Sequence, residues 1–197
     1  MIHPEPIGTP ALGVMMIGFL AFIVALASAR GRASGGERVA ENRSSRSTIG
    51  IGIQMIGFAA VGIGPVLPTL PSASPLAIGE ATAVAALMGL TILLFVAATR
   101  AMGRNWSIVA RTREDHALVT AGPFRFVRHP IYSALFAFLL AMAVALGHWR
   151  GLILGVPLYW IGTWIRIAEE ERLLRAQFGA AYDAYAARVK RFVPGVI

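Results

Sequence analysis

Residues 11–29 read ALGVMMIGFLAFIVALASA, 19 positions without a charge. A helix needs about 20 apolar residues to cross a bilayer core, within a working range of about 17–25. Runs of this kind recur along the chain, and their number decides the fold class. Residues 49–70 are uncharged, with Gln54 and Pro65 among them. Residues 76–99 carry one acid, Glu80. Residues 130–149 are interrupted only by His148 near their end, and residues 151–165 form a short fifth run. Five runs predict an all-α, polytopic membrane protein with about five transmembrane helices. Runs four and five are separated by Gly147-His148-Trp149-Arg150-Gly151, which predicts a tight antiparallel helix hairpin.

The whole-chain composition agrees. The 197 residues are 56% hydrophobic and 14% charged, against about 45–50% and about 25% for a soluble domain. That hydrophobicity excludes intrinsic disorder. The absence of cysteine excludes a disulfide framework, a thiolate metal site and a cysteine nucleophile. Four scattered histidines show no ligand spacing, so no metal is expected.

A net charge of +8 suggests either a polyanion partner or basic membrane-flanking loops. Position decides. Arg30, Arg32, Arg38, Arg43 and Arg46 follow the first run. Arg100, Arg104, Arg111, Arg113, Arg125 and Arg128 follow the third. Arg166, Arg172, Arg175, Arg188, Lys190 and Arg191 follow the fifth. These segments hold 17 of the 18 bases, and five spans place all three on one side. The positive-inside rule makes that side cytoplasmic and the N-terminus external. No basic patch interleaved with aromatics points to nucleic acid. A cleaved signal peptide is the rival reading of the first run, since Ala27-Ser28-Ala29 resembles a cleavage site. Residues 1–10 lack the basic leader such peptides carry, however, and the run exceeds the usual 7–15 residues.

Residues 1–99 read as a three-span scaffold. Gly50, Gly52, Gly57, Gly62 and Gly64 crowd the second run. Gly50-Ile51-Gly52 lacks the strand-and-helix context of a dinucleotide fingerprint, so close helix packing through small residues is expected. Glu80 lies near the start of its run and is expected in a structural or interfacial role.

Residues 100–197 differ, with dense and varied polar positions. Gly122-Pro123 marks a turn. Pro130 suits the first turn of a helix, which places Arg128 and His129 at the mouth of the fourth span, where a helix N-terminus favours anions. Arg166 and Glu170 are four apart on the fifth helix. Beyond them, Leu174, Phe178, Tyr182, Tyr185 and Val189 outline an amphipathic cytoplasmic helix interrupted by Gly179. Three consecutive acids, Glu169, Glu170 and Glu171, would ordinarily be a solvated face. Together the segments place His129, Arg166 and Glu170 at one membrane depth, where they can share a polar pocket.

At these residues the chain resembles the isoprenylcysteine carboxyl methyltransferase family, and more distantly the phospholipid N-methyltransferases. The matching strings are Leu118-Val119-Thr120-Ala121-Gly122-Pro123-Phe124, Arg128-His129-Pro130-Ile131-Tyr132 and Glu170-Glu171-Arg172-Leu173-Leu174-Arg175-Ala176-Gln177-Phe178-Gly179, followed by Tyr182, Tyr185 and Pro194. The match covers about residues 100–197. The resemblance implies a membrane methyltransferase that uses S-adenosylmethionine and receives a lipophilic substrate from the bilayer, with a catalytic half at 100–197. It implies a cofactor site made of His116, Leu118, Val119, Gly122, Pro123, Phe124, Arg128, His129, Tyr132, Glu170 and Glu171. Arg166 and Glu170 are the implied catalytic pair, with Arg166 on the substrate's polar group. The family often carries Tyr where this chain has Phe124.

Two other functions compete. One is a non-catalytic membrane scaffold that retains the fold, which requires these polar groups to pair off without a cavity. The other is a transporter, for which Gln54 and Glu80 are the mid-span polar candidates. The methyl acceptor, whether carboxylate, thiol or amine, is left open, as is oligomeric state. A count of 17 Arg to one Lys hints at a GC-rich, bacterial source and hence an inner-membrane location.

Overall fold

The computed structural model describes residues 4–33, 44–108 and 117–192. Five long helices form the body: α1 (Thr9–Ala33), α2 (Ser45–Gly62), α3 (Pro75–Met102), α4 (Pro130–Leu146) and α5 (Leu152–Phe178), followed by a short α6 (Ala180–Arg188). The all-α expectation needs one amendment, because β1 (Pro6–Gly8) and β2 (Leu67–Leu70) pair as a small parallel ladder. These segments flank α1 and α3 at one end of the bundle, where pairing satisfies backbone groups that no helix can take.

The helix boundaries follow local chemistry. Ser44 caps α2, its hydroxyl accepting from the Ser47 N–H, and Ser74 caps α3 ahead of Pro75. Gly147 ends α4 at φ 69°, and Gly179 separates α5 from α6 at φ 50°, conformations that glycine adopts without a Cβ clash. Gly122–Arg125 forms a 3-10 turn where the Gly-Pro pair predicts one.

Contacts fix the alternating direction of the helices. At one end, Gly8 N–H donates to Glu80 Oε2 at 2.9 Å, Glu5 N–H to Gly147 O at 3.0 Å, and the His148 ring sits between Val61 O and Pro65 O at 2.7 and 2.9 Å. Glu80 therefore has the structural role expected of it. At the other end Arg32 meets Thr99, and Ser44 donates to Glu169 at 2.8 Å.

Among the described residues, three helical stretches are long and apolar enough to cross a membrane: Thr9–Ala33, Pro75–Asn105 and Trp149–Phe178. α4 is apolar but has 17 residues, and α2 opens on the polar turn Ser45-Arg46-Ser47-Thr48. Met16, Ile17, Leu20, Val24, Leu93, Ile153, Leu154 and Ile161 all face outward. Soluble monomers rarely expose a contiguous apolar surface of that extent.

The connection between α4 and α5 is as tight as the sequence predicts, but these helices are not each other's main partners. α4 packs chiefly on α3, and α5 on α2. Glycine explains the second pairing: a Cβ on Gly162 would meet Gly50 O at 2.5 Å, and one on Gly50 would meet Arg166 Cγ at 2.5 Å. Only bare backbones approach so closely. Gly50, Gly57, Gly62 and Gly64 are thus packing residues, as expected, whereas a Cβ on Gly52 would meet nothing within 4 Å.

Candidate functional site

α5 runs unbroken past the apolar core, so Arg166, Glu170, Leu173, Leu174 and Gln177 share one wall of a cavity of about 400 Å³. α4 contributes Pro130, Ile131, Tyr132 and Leu135, and the segment before it contributes Phe124, Arg128 and His129. The rest of the wall belongs to the first 108 residues: Phe22 and Leu26 from α1, Ile51, Gln54, Met55 and Phe58 from α2, Phe95 and Met102 from α3, then Asn105, Trp106, Ser107 and Ile108. The lining therefore crosses the boundary at residue 99 that the motifs suggest.

The glutamate run is not a solvated face. Glu169 is 5% exposed and Glu171 2%, while the Glu170 side chain is 28% exposed and lines the cavity. Glu171 lies behind the wall and organises it. It accepts from Arg191 Nε at 2.9 Å and Nη2 at 2.8 Å, and lies 3.5 Å from Arg128 Nη2. The His129 ring stands between the two acids, with Nε2 3.3 Å from Glu171 Oε1 and Nδ1 3.7 Å from Glu170 Oε2. Tyr132 donates its hydroxyl to Glu170. A buried carboxylate without such partners would be too costly to keep ionised; here several cations and a histidine surround it.

Arg166 is held on three sides. Nη1 donates to Gln54 Oε1 at 2.8 Å, Nη2 to Ile108 O at 2.7 Å, and the guanidinium lies 5.0 Å from the centre of the Tyr132 ring. Gln54, 3% exposed, spends its own amide on Thr163 Oγ1 at 2.7 Å. The buried Nε atoms of Arg128 and Arg166 have no hydrogen-bond partner among the described residues. Both side chains line the cavity, and buried donors of this kind ask for a ligand or water.

The tail secures the site from outside. Arg128 N–H donates to Lys190 O at 2.8 Å and His129 N–H to Arg191 O at 3.0 Å, so residues 127–129 and 190–191 run side by side. Tyr185 donates to Phe124 O at 2.7 Å. Burial pushes the Tyr185 phenol up to about 12, with the neighbouring Tyr182 adding to it, so the hydroxyl keeps its proton and remains a donor. Arg175 joins α5 to α6 through Asp183 at 3.1 Å.

Of the residues singled out from the sequence, Phe124, Arg128, His129, Tyr132, Arg166 and Glu170 meet around the cavity. Glu171 backs them. Leu118, Val119, Gly122 and Pro123 are not part of its wall, and His116 lies outside the described residues. Sequence reasoning missed Gln54, Trp106, Gln177 and Arg191 as members of the cluster. The signal for Gln54 was present as a lone amide in an apolar, glycine-rich run. Arg191 gave none, being one base among several in a basic tail.

The chain is similar to known proteins in three ways. The family model described as phospholipid methyltransferase matches residues 80–181, just over half of the chain. A protein-S-isoprenylcysteine O-methyltransferase of Schizosaccharomyces pombe is 32% identical over 94 residues, 47% of this chain and 40% of that protein. The B form from Arabidopsis thaliana is 35% identical over 96 residues, 48% of this chain and 49% of that protein. The aligned regions thus span half or less of these relatives' length. The structure of a eukaryotic intramembrane Ras methyltransferase, an isoprenylcysteine carboxyl methyltransferase, superposes with a TM-score of 0.57 at 21% identity, over 94% of this chain and 65% of that one. It shares the fold. With the family model aligned over α3, α4 and α5, which carry most of the polar cluster, the chain belongs to the phospholipid methyltransferase family.

Proposed function

We propose that the protein is an integral-membrane methyltransferase that moves a methyl group from S-adenosylmethionine to a lipophilic acceptor reaching the site from the bilayer. One observation carries the reading: a cavity whose polar wall (Arg128, His129, Tyr132, Arg166 and Glu170) faces an apolar wall built by α1, α2 and α3. A scaffold that merely kept the fold would have no use for two buried guanidinium nitrogens without partners among the described residues.

The residues fit the cofactor's chemistry. Its carboxylate suits Arg128, a buried guanidinium on the cavity wall whose Nε has no partner among the described residues. Its ammonium and ribose suit Glu170, and its adenine suits the apolar lining around Phe124 and Leu174. When bound, S-adenosylmethionine supplies an electrophilic methyl carbon, to which the acceptor's lone pair bonds as the carbon–sulfur bond breaks. The chain's own part is placement. Glu171 fixes Arg128 and His129, Gln54 and Tyr132 fix Arg166, and Arg166 holds the acceptor's polar group. In-line displacement depends strongly on such alignment. A carboxylate acceptor needs no base; for a thiol or amine, Glu170 takes the proton.

By the charge distribution, α1 to α5 all cross the membrane, with the N-terminus outside and the site near the cytoplasmic face. A bacterial inner membrane fits the Arg-rich composition. The partners are membrane lipids and the acceptor itself, with no nucleic acid.

Calorimetric titration of the protein in lipid nanodiscs with S-adenosylhomocysteine, the expected product, tests this reading. Saturable one-site binding is expected, and its absence ends the proposal. Glu170→Gln is expected to lower methyl transfer about a hundredfold or more while keeping the helical content of the parent; wild-type turnover in that variant removes Glu170 from the site.

A further inference from the structure

The cavity is not uniform along its depth. α2 enters it from the end that holds Ser44 and lines it with Ile51, Gln54, Met55 and Phe58 in that order. α1 and α3 run the opposite way, so their deepest lining residues are Phe22 and Phe95. These three phenylalanines and Phe138 form a connected layer. Ring centres lie 5.0 Å apart for Phe22 and Phe95, 5.6 Å for Phe22 and Phe138, and 5.7 Å for Phe58 and Phe138. Phe58 also meets Tyr159 edge-on at 5.9 Å. Beneath the layer the bundle is packed solid, with Val61, Val84, Leu139, Ala141 and Ala143 fully buried. The polar groups lie above it, with Arg166 pinned by Gln54 at the boundary.

We infer that this aromatic layer is a length gauge: the acceptor is an amphiphile with a short apolar tail, whose polar head meets Arg166 and whose tail end stops against Phe22, Phe58 and Phe95. The inference rests on the reading of the cavity as the place where the acceptor binds. The depth supports a short tail. Gln54 and Phe58 are four residues apart on one helix, a rise of about 6 Å at about 1.5 Å per residue, so a tail directed down the cavity has room for a few methylene groups before it meets Phe58. A rigid floor imposes a limit because extra methylenes forced into a packed interior displace side chains at a cost of about tenfold or more in affinity. A chain already dissolved in lipid gains little by moving into an apolar chamber, so the limit shows as a loss and not as a fading gain.

The test is a series of straight-chain alkanoates from butanoate to hexadecanoate, titrated calorimetrically into the full chain in nanodiscs, with affinity expressed against ligand in the lipid phase. Affinity is expected to stay level through the short members and then to fall about tenfold once the tail exceeds the chamber. In Phe58→Ala the fall is expected at a longer chain, and in Phe58→Leu, the milder change for folding, at an intermediate one. Affinity that stays level to hexadecanoate in the wild type overturns the gauge, as does a fall at the same length in wild type and both variants. Failure to bind any alkanoate also overturns it. The same nanodiscs titrated with S-adenosylhomocysteine report separately on the methyltransferase reading. A length limit without cofactor binding leaves the gauge standing and removes the activity; cofactor binding without a limit does the reverse.

Discussion

At the end of the bundle that holds Glu80 and His148, buried polar groups are used up by one another. Glu80 takes the Gly8 N–H, and the His148 ring lies between the carbonyls of Val61 and Pro65 and donates to one of them. The Val61 carbonyl needs such a partner, because residue 65 is a proline with no N–H to continue the helical ladder. At the opposite end the groups are more numerous and less complete. Arg128, His129, Arg175 and Arg191 converge on Glu171, yet the Nε atoms of Arg128 and Arg166 lack partners among the described residues. One end is a closed structural clasp. The other is a braced and partly unsatisfied constellation of the kind that waits for a ligand. The contrast shows that buried polarity in a helix bundle is not itself a functional signal; incompleteness beside a cavity is.

Perturbing the two ends should separate these roles. The largest effect is expected for Glu171→Ala, which strands Arg128, His129 and Arg191 around a missing charge. Breaking a buried ion pair from one side costs about 3–5 kcal/mol, so thermal unfolding in nanodiscs should shift strongly and S-adenosylhomocysteine binding should weaken with it. A melting curve matching the parent would show that the site end needs no such brace. Next comes His148→Leu, which takes away the ring that sits between two carbonyls and donates to one of them, at about 1–3 kcal/mol. Here stability should drop while product affinity holds; a parallel loss of affinity would erase the distinction between the ends. Gln54→Leu should cost a similar amount of stability, about 1–3 kcal/mol, but should raise the acceptor KM more than the cofactor KM, because it frees Arg166. Equal changes in both would count against its positioning role.

The smallest effect concerns pH. The Tyr185 phenol is raised from an ordinary value near 10 to about 12 in the folded chain. A group raised on folding lends stability in full below its unfolded value and loses it as pH climbs through the folded one. The α6 clasp on Phe124 should therefore hold to about pH 10 and loosen between about 10 and 12. Tyrosine absorbance near 295 nm should show one or more late-titrating phenols, and Tyr185→Phe should remove one of them.

The membrane-helix architecture was legible because long apolar runs have few alternatives in water, and the position of 17 bases gave an orientation to propose. The glycine seam between α2 and α5 was legible as packing but not as to its partner; Gly162 lies 112 positions from Gly50, and periodicity is blind to that distance. The polar cluster was half legible. Arg128, His129, Tyr132, Arg166 and Glu170 stand in motifs whose spacing on helices brings them to one depth. The division of labour among Glu169, Glu170 and Glu171 was not, because adjacent residues on a helix point about 100° apart and only the neighbouring elements decide which direction is inside.

The sequence by itself therefore determined the solvent of this protein, the number of its apolar runs and the chemistry available at one end of them, since these follow from composition and local periodicity. Only the tertiary structure decided that Gln54 on α2 holds Arg166 on α5, that Arg191 reaches back to Glu171, and that an aromatic layer from α1, α2, α3 and α4 lies at the deep end of the cavity. Each of those depends on contacts between residues tens of positions apart, which form only when the helices pack.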